Sequence, residues 1–271
     1  MSYRRRVAPL KGVAGHLQCC WRRGPPREQK VLHSENERAQ PPAAQAARPR
    51  ARRRAVQDGV TEPFAGLLLL HGRHMQPGVL EPFVHALALP VRCLVPAGPV
   101  RHDDGSHSWW EVNMQRRQAE LAVGPIDLAR RAPAGRAAAR EALARSVDSL
   151  SATLRPGEPL IVAGFSQGAM LALDYLLQSG DRRIAALVLL SASRIATQEW
   201  QPHLHRLAGL PVLLAHGRQD THLSFAAGEA LRALLTGAGA QVQWLAFEGG
   251  HELPLVVWRA LRRFVLQLAP G

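Results

Sequence analysis

The sequence predicts an α/β fold from about residue 59 to residue 271, in which a mostly parallel sheet has helices on both faces. Six short apolar runs that end in small or polar residues have the length and composition of buried strands. Longer segments with apolar residues at helical spacing lie between these runs. This alternation favours parallel pairing, because each helix carries the chain back across one face of the sheet.

The six strand candidates are continuous apolar runs, each followed by a turn. Such runs are typical of parallel strands, since both faces of a parallel sheet are buried. In chain order they are AGLLLLHG (65–72), VRCLVPAG (91–98), PLIVAGFS (159–166), ALVLLSAS (186–193), PVLLAHG (211–217) and VQWLAFEGG (242–250).

The helix candidates repeat apolar residues every three to four positions. In GRAAAREALARSVDSLSATL (135–154), one face collects Ala139, Leu143, Val147 and Leu150, and charged residues occupy the other face. The other four candidates are VLEPFVHALALP (79–90), QGAMLALDYLLQSG (167–180), LSFAAGEALRALLTGAG (223–239) and HELPLVVWRALRRFVLQL (251–268).

The segment between residues 96 and 135 interrupts the alternation. It is long, polar and punctuated by Gly and Pro, and it follows the second strand candidate. We expect it to contribute to a substrate site, because excursions beyond the carboxyl ends of strands build the ligand sites of α/β folds. Within it, Trp109 and Trp110 either cap the core or line a substrate cleft for an acyl group.

Positive charge is concentrated at the start of the chain. Residues 1–55 hold 14 Lys and Arg against 3 Asp and Glu, whereas residues 56–271 hold 20 and 18. Because the first segment also lacks apolar periodicity, we expect residues 1–58 to be a disordered basic extension or translated upstream sequence, with residues 59–271 as the folded domain. The nearly neutral domain argues against specific nucleic-acid recognition.

Composition also bears on whether the protein is disulfide-rich, membrane-spanning or metal-binding. Three cysteines, two of them adjacent, do not suit a disulfide framework or a zinc site, and they favour a reducing compartment, the cytoplasm. No apolar run approaches the roughly 18 residues of a transmembrane segment. The histidines lack Cys or carboxylate partners at ligand spacing, so no metal site is predicted.

A lone serine between two glycines marks the change from strand to helix in GFSQG (164–168). A nucleophilic serine needs a sharp turn that pushes its oxygen out of the backbone, and nearby glycines permit that turn. Ser166 is therefore the candidate nucleophile.

A serine nucleophile needs a base, and histidine is the usual one because its pKa lies near neutrality. His251 follows the last strand candidate in a glycine-rich loop, and Asp220 follows the strand candidate before it. We expect Asp220 to orient the imidazole, in competition with Asp181 and Glu248. The chain order Ser166, Asp220, His251 is that of α/β-hydrolases.

An acyl-transfer site also needs backbone N–H groups for the oxyanion. Gln167 directly follows the nucleophile at a predicted helix N-terminus, where N–H groups are free. Arg73 follows the first strand candidate in LLLLHGR (67–73). We expect the backbone N–H groups of these two residues to be the oxyanion donors.

Together these residues resemble the carboxylesterase/phospholipase family of α/β-hydrolases, which includes acyl-protein thioesterases and small bacterial carboxylesterases. The resemblance spans about residues 64–268, and its motifs are LLHGR (69–73), GSHSWWE (105–111), GFSQG (164–168), HGRQD (216–220) and GGH (249–251). It implies an α/β-hydrolase fold, a triad of Ser166, Asp220 and His251, and Arg73 and Gln167 as oxyanion donors. After Arg73 the chain departs from the family, which often continues with further glycine and an acidic or small residue.

The sequence thus predicts a serine hydrolase that cleaves small-molecule carboxylic esters or thioesters through an acyl-enzyme, with no cofactor. Peptidase or perhydrolase chemistry is an alternative that the same triad would serve. Polyanion binding through the basic extension is an alternative of another class. The sequence is also compatible with a homo-oligomer.

Overall fold

The computed structural model of the chain describes residues 62–269. The expected basic extension, residues 1–58, and its boundary at residue 59 lie outside the described residues. Strands within them are, in chain order, β1 (Ala65–Leu70), β2 (Val91–Leu94), β3 (Val100–Arg101), β4 (His107–Ser108), β5 (Leu160–Phe165), β6 (Ile184–Leu190), β7 (Pro211–Gly217) and β8 (Gln241–Phe247).

Six of these strands form one parallel sheet in the order β2-β1-β5-β6-β7-β8, which confirms all six strand predictions. The chain builds the sheet outward from β1 to β2 on one side and outward from β5 to β8 on the other. The direction of winding therefore switches between β1 and β5. Ligands of open parallel sheets bind beyond the carboxyl ends of the strands at such a switch, so the loops after β1 and β5 are the expected place of a site.

Helices cover both faces of the sheet. They are α1 (Glu81–Ala86), α2 (Met114–Val123), α3 (Arg136–Ser151), α4 (Gln167–Ser179), α5 (Thr197–Trp200), α6 (Phe225–Gly237) and α7 (Leu255–Gln267), with 3-10 turns at Pro77–Val79 and Gln201–Leu207. Among the helices of the described residues, none combines the length and apolarity that a membrane crossing requires.

Alternate residues of each strand feed two separate cores, as β1 illustrates. Leu68 and Leu70 pack in the cluster that includes the buried faces of α3, α4 and α6. Leu67 and Leu69 pack in the opposite cluster, which includes the buried face of α7. All four side chains are fully buried, because successive side chains of a strand point to opposite faces and both faces are covered. The predicted fold class is confirmed.

Two predicted helices have different bounds in the structure. The last one, α7, begins at Leu255 instead of His251, because Pro254 before it has an extended backbone. The first, α1, is shorter than the predicted 79–90, and the chain turns at Ala88, whose φ is 46°. His251 is consequently a loop residue.

The polar segment 96–135 contains structure that the sequence did not predict. The short strands β3 and β4 pair as an antiparallel hairpin, and α2 follows them. The side chain of Asn113 caps α2 by accepting a hydrogen bond from the N–H of Arg116 at 2.9 Å. No residue of α2 is buried, so this helix has no apolar face that periodicity could reveal.

Candidate active site

Ser166 lies on a tight turn between β5 and α4. Its backbone has φ 53° and ψ −114°, a conformation with positive φ that residues other than glycine rarely adopt. Such a conformation costs on the order of 1–3 kcal/mol and persists only where the surrounding structure enforces it. The turn leaves Ser166 half-buried at the carboxyl edge of the sheet.

The two glycines of GFSQG make this turn sterically feasible. A Cβ at Gly164 would lie 2.4 Å from the carbonyl carbon of Gly168. A Cβ at Gly168 would lie 2.6 Å from the carbonyl oxygens of both Leu70 and His71. These separations are far shorter than the van der Waals contact distance, so glycine is required for α4 to start directly against β5 and β1.

His251 reaches Ser166 from the loop between β8 and α7. Its Nε2 atom is 2.8 Å from Oγ of Ser166. The loop lies close to the end of β7, where a Cβ at Gly217 would lie 2.3 Å from the carbonyl oxygen of Gly250. This close approach holds the histidine loop against the edge of the sheet.

Asp220, in the loop after β7, lies behind the imidazole. Its Oδ2 atom is 2.7 Å from Nδ1 of His251, and Oδ1 accepts hydrogen bonds from the N–H groups of His222 and Leu223 at 2.8 and 2.9 Å. Burial by itself would raise the pKa of Asp220. The hydrogen bond and charge of His251 and the two backbone N–H groups outweigh burial, so the pKa lies below its ordinary value.

The ionised carboxylate defines the tautomer of His251. A carboxylate without a proton only accepts hydrogen bonds, so Nδ1 of His251 carries the ring proton. Nε2 is then free to accept the hydroxyl proton of Ser166. The two competing carboxylates lie elsewhere: Asp181 pairs with Arg183, and Glu248 pairs with Arg218.

The imidazole of His251 has two neighbouring rings, those of Phe165 and His222. The ring centroid of Phe165 is 5.0 Å from that of His251, with 38° between the planes. The ring of His222 is parallel to that of His251, with the centroids 4.8 Å apart. Burial lowers the pKa of His222, and the charge of His251 lowers it further, which favours the neutral form of His222.

Arg73 and Gln167, the two predicted oxyanion donors, line the same cavity as Ser166. In the part of the chain that the structure describes, neither N–H donates to another backbone group. Gln167 is the first residue of α4, where N–H groups have no partner within the helix. Arg73 follows Gly72, where a Cβ would lie 2.9 Å from both Met75 and Phe165.

The side chain of Gln167 connects α4 to the polar segment. Its Oε1 atom accepts from the N–H of Trp109 at 2.8 Å, and its Nε2 atom donates to the carbonyl of Trp110 at 2.9 Å. The indole N–H of Trp109 donates to the backbone carbonyl of His71 at 2.9 Å. The indole also stacks on the imidazole of His71, with the ring centroids 5.1 Å apart. These contacts link the loop after β1, the tryptophan pair and the start of α4.

A cavity of about 570 Å³ opens beside Ser166. Of the two alternatives that the sequence left open for the tryptophans, lining the cleft fits Trp110, which lines this cavity, but not Trp109, which does not. Trp109 is 1% exposed, because its indole packs on His71 and belongs to the core. Other lining residues include Arg73, Met75, Val112, Arg117, Leu128 and Met170.

Two of the histidines have structural roles at strand ends. Nε2 of His71 accepts from the N–H of Gly98 at 2.9 Å, and Nε2 of His216 lies 3.1 Å from the carbonyl of Leu223. Burial lowers the pKa of both histidines. Over residues 62–269, no group of three or more His, Cys, Asp or Glu side chains is arranged to hold a metal ion.

Residues 127–268 match the family model described as phospholipase/carboxylesterase. This stretch is more than half of the chain. The chain belongs to the phospholipase/carboxylesterase family. The match confirms the resemblance found in the sequence, and the protein is accordingly a hydrolase of the carboxylesterase and thioesterase kind. Ser166, Asp220 and His251 lie inside the matched residues, and Arg73 lies before them.

Solved structures confirm the α/β-hydrolase fold of this family member. Acyl-protein thioesterase 2 from Zea mays is 20% identical over 76% of this chain and 94% of its own, with a TM-score of 0.62. A carboxylesterase from Mesorhizobium loti is 22% identical over 76% and 90%, with a TM-score of 0.60. SOBER1 from Arabidopsis thaliana is 21% identical over 75% and 98%, with a TM-score of 0.59. No curated protein matches the chain significantly.

Two residues of this phospholipase/carboxylesterase site were not predicted as site residues from the sequence. His222 stacks on His251, and Arg117 donates from Nη2 to the carbonyl of His222 at 2.9 Å. His222 lies two positions after Asp220, and that proximity is the one signal that pointed to it. Arg117 lies on α2, whose polar sequence contains no such signal.

Proposed function

We propose that the protein hydrolyses carboxylic esters or thioesters with Ser166 as the nucleophile, His251 as general base and acid, and Asp220 as the residue that orients His251. One observation carries the proposal. Hydrogen bonds run from Ser166 Oγ to His251 Nε2 at 2.8 Å and from His251 Nδ1 to Asp220 Oδ2 at 2.7 Å. The first distance lies in the range at which a base activates a nucleophile, and the second in the range at which a third group orients that base.

Acylation begins when Oγ of Ser166 bonds to the substrate carbonyl carbon and its proton moves to Nε2 of His251. The carbonyl oxygen becomes an oxyanion, which the N–H groups of Arg73 and Gln167 stabilise. Each donor of this kind lowers the barrier by about 3 kcal/mol. The bond to the alcohol or thiol then breaks, and the leaving group takes the proton from His251. An acyl-enzyme on Ser166 remains.

Deacylation repeats these steps with water. His251 takes a proton from water as the water oxygen bonds to the acyl carbon, and the second oxyanion occupies the same donors. The bond to Oγ then breaks, the acid leaves, and Ser166 recovers its proton from His251. Because the pKa of Asp220 lies below its ordinary value, this carboxylate stays ionised and stabilises the imidazolium in both halves of the reaction.

The test compares the wild-type protein with Ser166→Ala on p-nitrophenyl esters of short to medium acyl length. Wild type should hydrolyse them and react with a fluorophosphonate probe. Ser166→Ala should lose the labelling and roughly 10⁴-fold or more of the turnover. Ser146→Ala is a matched control, because among residues 62–269 the Ser146 hydroxyl bonds to the carbonyl of Ala142 in its own helix and to no other group.

Two results would contradict the serine mechanism. One is turnover by Ser166→Ala at a rate near that of wild type. The other is a wild-type protein that neither reacts with the probe nor hydrolyses any ester or thioester in a broad panel.

A further inference from the structure

The cavity beside Ser166 has a positively charged wall. Its lining contains two glutamates against five arginines, namely Arg73, Arg116, Arg117, Arg130 and Arg131. One of the glutamates, Glu120, accepts hydrogen bonds from both Arg116 at 2.9 Å and Arg131 at 2.5 Å. A single carboxylate is thus shared by two guanidinium groups, and the other three arginines leave an excess of positive charge.

Arg117 is poorly compensated. Its Nη2 atom donates to the backbone carbonyl of His222, and its Nη1 atom is buried with no hydrogen-bond partner among residues 62–269. Burial lowers the pKa of Arg117, and the charges of Arg73 and Arg131 lower it further, whereas the carboxylates of Glu120 and Asp220 oppose these effects. Since arginine stays protonated in proteins, Arg117 keeps its positive charge, and no carboxylate in the described part of the chain forms a hydrogen bond with it.

Arg73, in the loop after β1, also has no carboxylate partner for its side chain among residues 62–269. Its Nη1 atom contacts the sulfur of Met114 at 3.3 Å, and a thioether is a weak acceptor that carries no charge. Burial lowers the pKa of Arg73. Two mutually repelling guanidinium groups therefore border the cavity that contains Ser166.

We propose that Arg117 and Arg73 bind an anionic group of the substrate, a carboxylate or a phosphate carried by the ester or thioester. The planar guanidinium fork matches both anions, and such charge-assisted hydrogen bonds are stronger than neutral ones. The anion would relieve the repulsion between the two arginines. This inference rests on the proposed function, because it assigns the substrate class of the same cavity.

The anion site is connected to the triad through one residue. His222 accepts from Arg117 through its carbonyl and stacks on His251 through its ring. A substrate held by Arg117 is therefore held next to the base. Orientation of this kind raises kcat as well as affinity, because it places the carbonyl carbon at the nucleophile.

Two pairs of substrates separate the sources of the anion. The first pair is the p-nitrophenyl half-ester of glutaric acid and the neutral p-nitrophenyl ester in which an isopropyl group replaces its carboxylate. The second pair is S-acetylphosphopantetheine and S-acetylpantetheine, which differ by a phosphate on the leaving group. In at least one pair, kcat/KM of the full-length wild-type protein should be higher for the anionic member by roughly 10- to 100-fold.

Variants of Arg117 then test whether this residue causes the preference for the anionic substrate. Arg117→Gln should reduce the anionic-to-neutral ratio of kcat/KM by roughly 10-fold or more, and Arg117→Lys should reduce it less because it keeps the charge. Arg263→Gln is a matched control on the exposed surface of α7, and it should leave the ratio unchanged. The basic residues 1–55 are present in every variant, so their contribution cancels.

A binding measurement keeps this inference separate from the mechanism. Titration calorimetry with Ser166→Ala measures the affinity for both members of each pair without turnover, and the double variant Ser166→Ala/Arg117→Gln should lose the preference for the anion. Equal affinity for the two members of each pair, or an equal loss of preference in Arg263→Gln, overturns the anion site. Hydrolysis that is absent while the preference in binding persists overturns the proposed function alone.

Discussion

The imidazole rings of His222 and His251 are parallel, with their centroids 4.8 Å apart. The ring of Phe165 also lies near His251, with the centroids 5.0 Å apart, so His251 has two aromatic neighbours. The backbone of His222 is anchored as well, because its N–H donates to Asp220 and its carbonyl accepts from Arg117. These two hydrogen bonds use only backbone atoms of His222, so a change of its side chain alters the stacking on His251 and leaves both bonds in place.

Replacement of His222 tests that stacking. His222→Ala removes one wall of the imidazole site and should lower kcat roughly tenfold, because a misplaced base costs rate even when the chemistry is intact. His222→Phe keeps a flat ring and should retain most of the activity. Steady-state kinetics on one neutral ester measures both variants. Equal losses in the two variants would argue against a stacking role.

Acid pH should destabilise the protein through its buried histidines. Burial is the main cause that lowers the pKa of His71, His216 and His222 below the ordinary value of 6.5. As the pH falls through about 6.5, the unfolded chain takes up protons that the folded protein does not, so the free energy of unfolding decreases. Above that pH these groups are neutral in both states and contribute no pH dependence.

Urea unfolding at several pH values between about 8 and about 5 measures this effect. His222→Phe should make the dependence on pH shallower, since one titrating group is removed. His85→Gln, at an exposed position in α1, is the matched control and should leave it unchanged. Stability that rises toward pH 5 would contradict the prediction.

Asp220→Asn should preserve the fold and abolish most of the activity. An amide still accepts from the N–H groups of His222 and Leu223, so the loop should keep its conformation. Its NH₂ group, however, favours the wrong tautomer of His251, and kcat should fall by roughly 10⁴-fold. Circular dichroism and kcat measure the two outcomes. Glu248→Gln serves as the control, and a larger loss of activity in that variant would transfer the orienting role to Glu248.

Gly168→Ala should destabilise the protein and distort the nucleophile turn. Its Cβ would lie 2.6 Å from the backbone carbonyl oxygens of Leu70 and His71, which cannot move without displacing β1. The cost should be about 1–3 kcal/mol in unfolding free energy, with loss of activity. Gly237→Ala, at the end of α6 with open space around it, should be neutral or slightly stabilising. Thermal and urea unfolding compare the two variants.

Residues 1–55 should be dispensable for catalysis. Every residue of the proposed mechanism lies after residue 72, and the segment carries 14 of the chain's 34 Lys and Arg. A protein that begins at Val56 should keep its melting temperature and its kcat/KM on a small neutral ester. It should lose any salt-sensitive DNA binding of the full chain. Loss of folding or turnover on truncation would mean that this segment packs on the domain.

Local patterns in the sequence determined the sheet and the meeting of the three proposed triad residues. Burial on both faces leaves a continuous apolar run within a few residues, and such runs predicted all six strands of the parallel sheet. Ser166, Asp220 and His251 each follow one of those strands. The carboxyl ends of parallel strands share one edge, so their proximity could be predicted before any distance was known.

Only the tertiary structure decided which residues surround Ser166, Asp220 and His251. Trp109 and Trp110 are neighbours in the sequence and both are buried in one core cluster, but only Trp110 also lines the cavity. α2 buries no residue, so its sequence has no apolar periodicity from which this helix, which carries Arg117, could be predicted. These features depend on how loops fold back and satisfy buried polar groups, and such contacts between distant residues leave no local pattern in the sequence.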